Sequence, residues 1–521
     1  MRPIHLLCLL LFSGAAFAAA PDSIPSHRQA LLARIPPTNL KELLTFASLY
    51  RQTPEGEIAL KQAWAVLSTQ VSSRTPPPLP PNLGLMASSL VRLVHPTLSF
   101  DETLPCIPED TIALIEEIGS SLPHRSLKGH KATSLAQIQA LSPEEIDMGR
   151  ALLLIDKDLS PSMTSVEAAL DVLALQVLAQ VGPGAADEAK ISALTNLLFD
   201  DLSIRFPPES EAVEKTKQFS DLSSVLFSRR GVCLGASALY LTLAQRIGLP
   251  LSVYTPPGHI FVAYTTPSHT RVIETTARGI DIPLDRYLGL TLRSVPERSK
   301  KEVIGMVLFN RASEYLKKKD WNGALQLYHK ASLFENDEEL SLLISLCDHL
   351  SGRTKASQQR AISTLRAPPP YRREPDLLLV DLANGLISRE SAEAVIQWSD
   401  ATGDERTAAT EALQKAMSGS PKSFVVPFHL AHAWLELGRP KEALPLIERL
   451  AQRDDAPCSI HVLLAQLHLD RMNIVDAWKE VYRSVDKVRG DMPKPLVDLI
   501  IELQAESPSC QNMSFLEEPS S

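Results

Sequence analysis

The chain has 521 residues, a net charge of −9 and 44% apolar residues, as in ordinary globular proteins. This length exceeds what one hydrophobic core supports, so we expect about three domains. The acidic balance and the lack of a basic stripe with interleaved aromatic residues argue against a nucleic-acid-binding protein. The 39 prolines against 22 glycines favour short helices with abrupt ends.

The amino terminus has the pattern of a secretory signal peptide. Arg2 precedes an apolar run at 6–12, and Ala16, Phe17 and Ala18 form an A-x-A cleavage site. The run is too short to span a bilayer, and no later stretch has about 18 apolar residues without a charge. We therefore expect export, to the periplasm or outside the cell, and a mature chain without a transmembrane segment.

The next region, 21–150, has mostly helical periodicity and a stiff proline-rich break at 76–81. A basic segment at 124–131 is interpreted as a solvated loop. A strong helical pattern at 163–181 leads into the following region. We identify no chemistry-bearing motif before this helix.

Cys233 lies at the start of a predicted helix, two residues after Gly231, a glycine that interrupts the preceding pattern. Apolar residues spaced by four, three and four residues form one helix face, and a Gly-Leu-Pro stop follows at 248–250. The amide groups and positive dipole end of a helix start favour thiolate over thiol, and Arg229 and Arg230 add positive potential. This setting is typical of a nucleophilic cysteine. The apolar face consists of Ala236, Tyr240, Leu243 and Ile247.

Strand-like runs at 251–254 and 259–264 follow, separated by a proline- and glycine-containing turn. His259 opens the second run. Alternation with a period of two allows its imidazole to face the helix that carries Cys233. The pattern therefore predicts a thiol and an imidazole on facing elements.

A third strand-like run, at 271–276, carries the carboxylate of Glu274. As the next strand of an antiparallel sheet, it could place this carboxylate on the far ring nitrogen of His259 and fix the orientation of the ring. We predict Cys233 as nucleophile, His259 as base and Glu274 as orienting acid.

These segments resemble bacterial transglutaminase-like proteins that carry tetratricopeptide repeats behind the core. The resemblance covers roughly residues 151–296, and it implies a papain-like arrangement of a cysteine-bearing helix on an antiparallel sheet. The matching segments are 230–237, 239–241, 246–250 and 257–262.

The chain departs from the family pattern at one position, because the acid is usually aspartate in the family and is Glu274 here. Asp281 therefore remains a rival third member. Family members that have lost the cysteine serve as non-catalytic modules, so a folded but inactive core is the alternative to an enzyme. A lone cysteine at a helix start is, by itself, more often structural.

A metal site is disfavoured because His259 and His269 are ten residues apart, without the short-turn ligand pairs of closed zinc sites. His269 is interpreted as an exposed turn residue. We expect no cofactor.

Five cysteines remain after removal of the signal peptide, and their wide spread is unlike a disulfide framework. An odd number leaves one thiol unpaired in an oxidising compartment, and Cys233 has a reason to stay free. The pairing of the others stays open. They are Cys106, Cys347, Cys458 and Cys510.

The carboxy-terminal part repeats with the tetratricopeptide period. Ala431 and Ala443 are 12 residues apart, as are Ala465 and Ala477, and the two pairs are offset by 34. Ala409 lies 34 residues before Ala443. Small residues are needed where two helices approach closely. We predict five units that bind a protein or peptide partner. Earlier repeat positions are Ala312, Tyr315, Ala324, Tyr328, Ala331 and Ala361.

The predicted fold class is α+β, with a helical amino-terminal region, a transglutaminase-like core and a helical repeat solenoid. The predicted function is cysteine-dependent acyl transfer or amide hydrolysis on proteins; the alternative is an inactive protein-binding scaffold. The predicted domains are a signal peptide (1–20), a helical region (21–150), a transglutaminase-like domain (151–300), tetratricopeptide-like repeats (301–491), and a terminal helix with a disordered tail (492–521).

Overall fold

The computed structural model divides into two compact units, Met1–Asn310 and Arg311–Ser521. The predicted regions 21–150 and 151–300 thus belong to the same unit, and the finer domain boundaries stay predictions. The predicted signal peptide and the polar tail at 507–521 lie outside the described residues. The structure describes residues 25–68, 78–80, 82–94, 108–155, 162–182, 184–208, 219–256, 258–282, 295–335, 338–366, 376–488 and 492–506.

Helices form most of the first unit and surround one central helix, α8. Six other helices (α3, α4, α5, α7, α9 and α11) pack on it. The helices are α1 (Pro25–Leu32), α2 (Leu40–Leu49), α3 (Pro54–Ser68), α4 (Leu83–Val94), α5 (Glu109–Ile118), α6 (Leu135–Ala140), α7 (Met148–Ile155), α8 (Met163–Val181), α9 (Asp187–Thr195), α10 (Leu222–Ser228), α11 (Cys233–Arg246) and α12 (Lys300–Lys317).

Helix α8 is, among the described residues, the one helix long and apolar enough to cross a membrane, and 78% of its apolar window is buried inside the fold. Its Asp171 is fully buried and accepts a hydrogen bond of 2.9 Å from Arg246 Nε. Such burial among neighbouring helices is typical of a core helix.

A small antiparallel sheet, in the order β3-β2-β1-β4, packs against α11 through β2. The three predicted strand-like runs are confirmed, with shifted ends, whereas β4 was not predicted. His259 lies two residues before β2, so its placement as the first residue of a strand was wrong. The strands are β1 (Ser252–Tyr254), β2 (Phe261–Thr265), β3 (Thr270–Ile273) and β4 (Glu297–Arg298).

The second unit consists of helices that pack as successive pairs: α14 with α15, α17 with α18, α19 with α20, and α21 with α22. The carboxy-terminal part of α12, which belongs to the second unit, is joined to α13 by a hydrogen bond of 2.9 Å between Ser313 Oγ and Tyr328 Oη. The helices are α13 (Trp321–Ala331), α14 (Glu338–Leu350), α15 (Thr354–Arg366), α16 (Leu377–Asn384), α17 (Arg389–Asp400), α18 (Glu405–Gly419), α19 (Val425–Glu436), α20 (Pro440–Ala451), α21 (Cys458–Leu469), α22 (Ile474–Lys487) and α23 (Lys494–Glu506).

The alanines that define the 34-residue period are buried in helices of the second unit, as expected for small residues where helices approach closely. Ala431, Ala443, Ala465 and Ala477 are 0% exposed, and Ala409 is 1% exposed. A larger side chain at these positions would push two helices apart.

Helix α16 interrupts the succession of pairs, and its buried Asp381 caps another helix. The carboxylate accepts hydrogen bonds from the backbone amides of Phe424 and Val425 and from the hydroxyl of Ser423, at the start of α19. Burial raises the pKa of Asp381, against the lowering effect of these hydrogen bonds. Helix α16 thus provides a hydrogen-bond acceptor for amide groups at the start of α19, which have no partner within their own helix.

Candidate active site

Two glycines shape the chain around Cys233, which is the first residue of α11 and is half-buried. A Cβ atom on Gly235 would lie 2.1 Å from the carbonyl oxygen of Phe219, and one on Gly231 would lie 3.0 Å from Val225 Cγ1. The same Phe219 oxygen accepts a hydrogen bond of 3.0 Å from the amide of Val232. The residue type at Gly235 is therefore fixed by this close backbone approach.

His259 makes hydrogen bonds with both Glu274 and Cys233. Its Nε2 lies 2.7 Å from Glu274 Oε2, and its ring also makes a side-chain hydrogen bond with Cys233. Because Glu274 engages Nε2, Nδ1 is the nitrogen left for the sulfur. The side chains are 18% exposed for His259 and 1% exposed for Glu274, so the acid is shielded while the imidazole reaches the surface.

The electrostatics of the three groups favour a charged imidazole. The hydrogen bond with Cys233, followed by that with Glu274, raises the pKa of His259 to about 9 against the effect of burial. Burial raises the pKa of Glu274, but the hydrogen bonds from His259 and Thr276 outweigh it, so the net direction is down. At neutral pH the pair is thus an imidazolium and a carboxylate.

Thr276 holds the second carboxylate oxygen of Glu274, a role that sequence analysis missed. Glu274 Oε1 accepts hydrogen bonds of 3.0 Å from Thr276 N and 2.5 Å from Thr276 Oγ1. Ser237 Oγ of α11 lies 2.9 Å from Thr275 Oγ1, and this contact is buried. The segment that carries the acid is therefore fastened to the helix that carries the thiol. Threonines directly after the acid were the only hint in the sequence.

Asp281, the rival third member, has a different place in the structure. Its Oδ1 accepts a hydrogen bond of 3.0 Å from the amide of Val272 in β3. Glu274, not Asp281, is the acid that is hydrogen-bonded to Nε2 of His259. The geometry brings Cys233, His259 and Glu274 together, and their catalytic roles stay predictions.

The basic segment at 124–131 was predicted to be a solvated loop, and this was wrong for the part of the segment that is buried. His124 is fully buried, and Arg125 forms an ion pair with the buried Asp171. His130 Nδ1 lies 2.9 Å from Asp147 Oδ2. Arg125 and His130 are thus paired with buried aspartates, whereas Lys128 and Lys131 of the same segment are exposed. His269, in contrast, is exposed as predicted.

His124, His130 and Asp147 have ligand atoms within 4.8 Å of one another, close enough to suggest a metal site. Burial and then the charge of Arg246 lower the pKa of His124 to about 2, so its ring is neutral. However, a metal ion would face the guanidinium groups of Arg125, which lies 3.1 Å from His130, and Arg246, which lies 3.8 Å from Asp147. We interpret the cluster as an internal ion network.

Three of the cysteines lie among the described residues, and within that part of the chain Cys233, Cys347 and Cys458 form no disulfide bond. Cys347 is 0% exposed, and burial raises its pKa to about 12. It is an unreactive internal comparator for Cys233. Cys106 and Cys510 lie outside the described residues.

The site combines a thiol at a helix start with an imidazole and a carboxylate that lie just outside strands β2 and β3, close to the arrangement that the resemblance implies. Residues 164–287, which include all three groups, match the family model of the transglutaminase-like superfamily. This part of the chain is a transglutaminase-like domain. No curated protein matches the sequence.

Several solved structures of tetratricopeptide proteins are similar to the chain. A thermophilic TPR protein of Thermus thermophilus has 15% identity and a TM-score of 0.21, covering 39% of this chain and 97% of its own. Yeast Tom70 has 13% identity and a TM-score of 0.23, and the match covers 94% of this chain and 85% of the Tom70 chain. TM-scores this low carry no argument. The tetratricopeptide-like character of the second unit instead rests on its helix pairs and buried alanines.

Proposed function

We propose that this protein is an exported cysteine-dependent enzyme that transfers or hydrolyses acyl groups of protein substrates. The proposal rests on two contacts of His259. Its Nε2 lies 2.7 Å from Glu274 Oε2, and its ring makes a side-chain hydrogen bond with Cys233. A thiol paired with an oriented imidazole is the arrangement of cysteine nucleophiles. The transglutaminase-like domain and the helical repeats together also support a role in protein–protein interaction.

The reaction would begin with the thiolate of Cys233 and the imidazolium of His259. The sulfur attacks the carbonyl carbon of a glutamine side chain or a peptide, and the tetrahedral intermediate collapses to a thioester. His259 gives its proton to the departing ammonia or amine. His259 then takes a proton from an incoming amine or water, which attacks the thioester and releases Cys233. Glu274 keeps the ring in place throughout.

The amide group of Cys233 would stabilise the oxyanion of the intermediate, because it lies in the first turn of α11, where amide groups have no partner within the helix. The helix dipole adds positive potential at the same place.

The repeats would recruit or position the partner protein, independently of the thiol. Stacked helix pairs offer extended surfaces for peptides and proteins. The proposed location is the periplasm or the outside of the cell, after removal of the signal peptide. Amino-terminal sequencing of the native protein tests export. Recovery of an intact Met1 in the cytoplasm would contradict it.

The competing proposal is a non-catalytic scaffold, favoured by the departure from aspartate at Glu274. Incorporation of a fluorescent primary amine into a glutamine-rich protein, together with ammonia release, distinguishes the two. An enzyme that acts on glutamine side chains predicts at least one of the two products in the wild type and in Cys347→Ala, and neither in Cys233→Ala. Amine transfer would indicate transamidation, and ammonia release without transfer would indicate deamidation. If neither occurs, peptide cleavage and a mass-spectrometric search for an acyl adduct on Cys233 decide whether the scaffold replaces the enzyme.

A further inference from the structure

A cavity of about 350 Å³ lies in the first unit, at the opposite end of α11 from the thiol. Leu241, Ala244 and Gln245 of α11 line it. Because these residues follow Cys233 by 8 to 12 positions in α11, this wall lies roughly 12–18 Å from Cys233 along the helix. The cavity is therefore separate from the site formed by Cys233, His259 and Glu274, and its volume lies within the ~300–1,000 Å³ range of small-molecule sites.

Most of the cavity wall is apolar. Leu251 and Val253 line the side formed by β1 and the residue before it, and Met148 and Val303 belong to α7 and α12. Gln245 contributes little free polarity, since its amide group is hydrogen-bonded to the backbone of Met148 and Ile146, at 2.9 and 2.8 Å. A ligand here would bury an apolar body.

Lys300 brings a half-buried ammonium group to this apolar wall. In the described parts of the chain, its Nζ donates one hydrogen bond, a long one of 3.4 Å, to the carbonyl oxygen of Ile146, although an ammonium has three donors. Burial lowers the pKa of Lys300, against the charges of Glu144 and Asp147. An anionic group on a ligand would compensate this partial desolvation.

The other charged groups of the wall are better paired. Arg298 donates hydrogen bonds of 2.7 Å to Thr255 Oγ1 and 3.0 Å to Glu302 Oε1. Glu144 is exposed at the rim, where water screens its interaction with Lys300. Among the described residues of the cavity wall, Lys300 is therefore the basic side chain best placed to donate hydrogen bonds to a ligand.

We propose that this cavity binds a small amphipathic carboxylate, with the apolar chain between α11 and β1 and the carboxylate on Lys300. The volume suits a chain of about eight carbons, whose apolar surface would be removed from water on binding. The site belongs to the folded core and is independent of the proposed acyl transfer.

The test is calorimetric titration of the whole protein with octanoate and, separately, with 1-octanol, which has the same chain without the charge. Octanoate is expected to bind the wild type at least tenfold more tightly than the alcohol. Lys300→Met should remove this preference, because a hydrogen bond to a charged group contributes enough free energy for about a tenfold change in affinity.

Lys301→Met is the matched control, because Lys301 is the next residue on the same helix and its Nζ is bonded to Gln139 O at 2.7 Å, outside the cavity wall. It should bind octanoate as the wild type does. Leu241→Trp, at a half-buried wall position, should block binding, with circular dichroism and melting confirming that it is folded. Equal octanoate affinity in wild type, Lys300→Met and folded Leu241→Trp, or no preference over 1-octanol, would overturn the proposal.

Discussion

Glu274 Oε2 lies 2.7 Å from His259 Nε2, although the side chain is one methylene longer than the aspartate usual in the family that this site resembles. The extra length is accommodated because the other oxygen, Oε1, is held by the amide and hydroxyl of Thr276. The acid is thus clamped on both oxygens. In this chain the longer carboxylate and the threonine that follows form one unit.

Glu274→Gln and Asp281→Asn are a matched pair of isosteric changes that test which acid orients the ring. Loss of the Glu274 charge should lower turnover by about tenfold or more, since one unit of pKa corresponds to about 1.4 kcal/mol. Asp281→Asn should have a small effect, because Asp281 bonds to the amide of Val272. The measurement is kcat for amine transfer or ammonia release. A larger loss in Asp281→Asn would reverse the assignment.

Thr276→Val removes the hydroxyl that bonds to Glu274 Oε1 at 2.5 Å but keeps the shape of the side chain. We expect a lower kcat and a lower pKa for His259, because the carboxylate is less well fixed. Thr276→Ser should restore both, since it replaces the hydroxyl. NMR titration of the His259 ring measures the pKa directly. An unchanged titration in Thr276→Val would show that Thr276 does not position the acid.

The pH dependence follows from the raised pKa of His259. Its ring keeps the proton needed by the leaving amine until the pH rises through about 9, so turnover should fall on the alkaline side near that value. The stability that the protonated ring contributes is complete below the unfolded pKa of about 6.5 and is lost as the pH rises through the folded value. In Glu274→Gln the alkaline fall should move to lower pH. A fall near about 6.5 in the wild type would contradict the raised pKa.

Adjacent alanines on α18 test the helix packing of the repeats. Ala409 is 1% exposed, whereas Ala408 is exposed. Ala409→Leu should destabilise the second unit by about 1–3 kcal/mol through overpacking, and Ala408→Leu should change stability little. Thermal melting of the whole protein, followed by circular dichroism, compares the two. Equal melting temperatures would show that the 34-residue period does not mark tight contacts.

Local sequence patterns predicted the features that depend on nearby residues. The start of α11 at Cys233 follows from a glycine break and one apolar face, and the buried alanines follow from a fixed period. Strand β4 escaped prediction because two charged residues, Glu297 and Arg298, have no apolar alternation. Its pairing with β1 depends on residues far away in the chain.

The contacts of the site between residues far apart in the sequence could not be predicted either. The bond between Ser237 and Thr275 joins residues 38 positions apart, and periodicity does not predict such pairs. The basic segment at 124–131 was misjudged because Asp147 and Asp171, its buried partners, lie on other elements. Charge alone gave no indication of that burial.

The rate of iodoacetamide labelling at Cys233 as a function of pH, in the wild type and in His259→Ala, tests the central claim most directly. Peptide mass spectrometry resolves Cys233 from Cys347, the buried thiol whose pKa is raised to about 12. An activated pair predicts fast labelling of wild-type Cys233 near neutral pH, slow labelling in His259→Ala and negligible labelling of Cys347 in both. Labelling of Cys233 that follows an ordinary thiol titration near about 8.5 in both proteins would contradict the claim, and the scaffold would replace the enzyme.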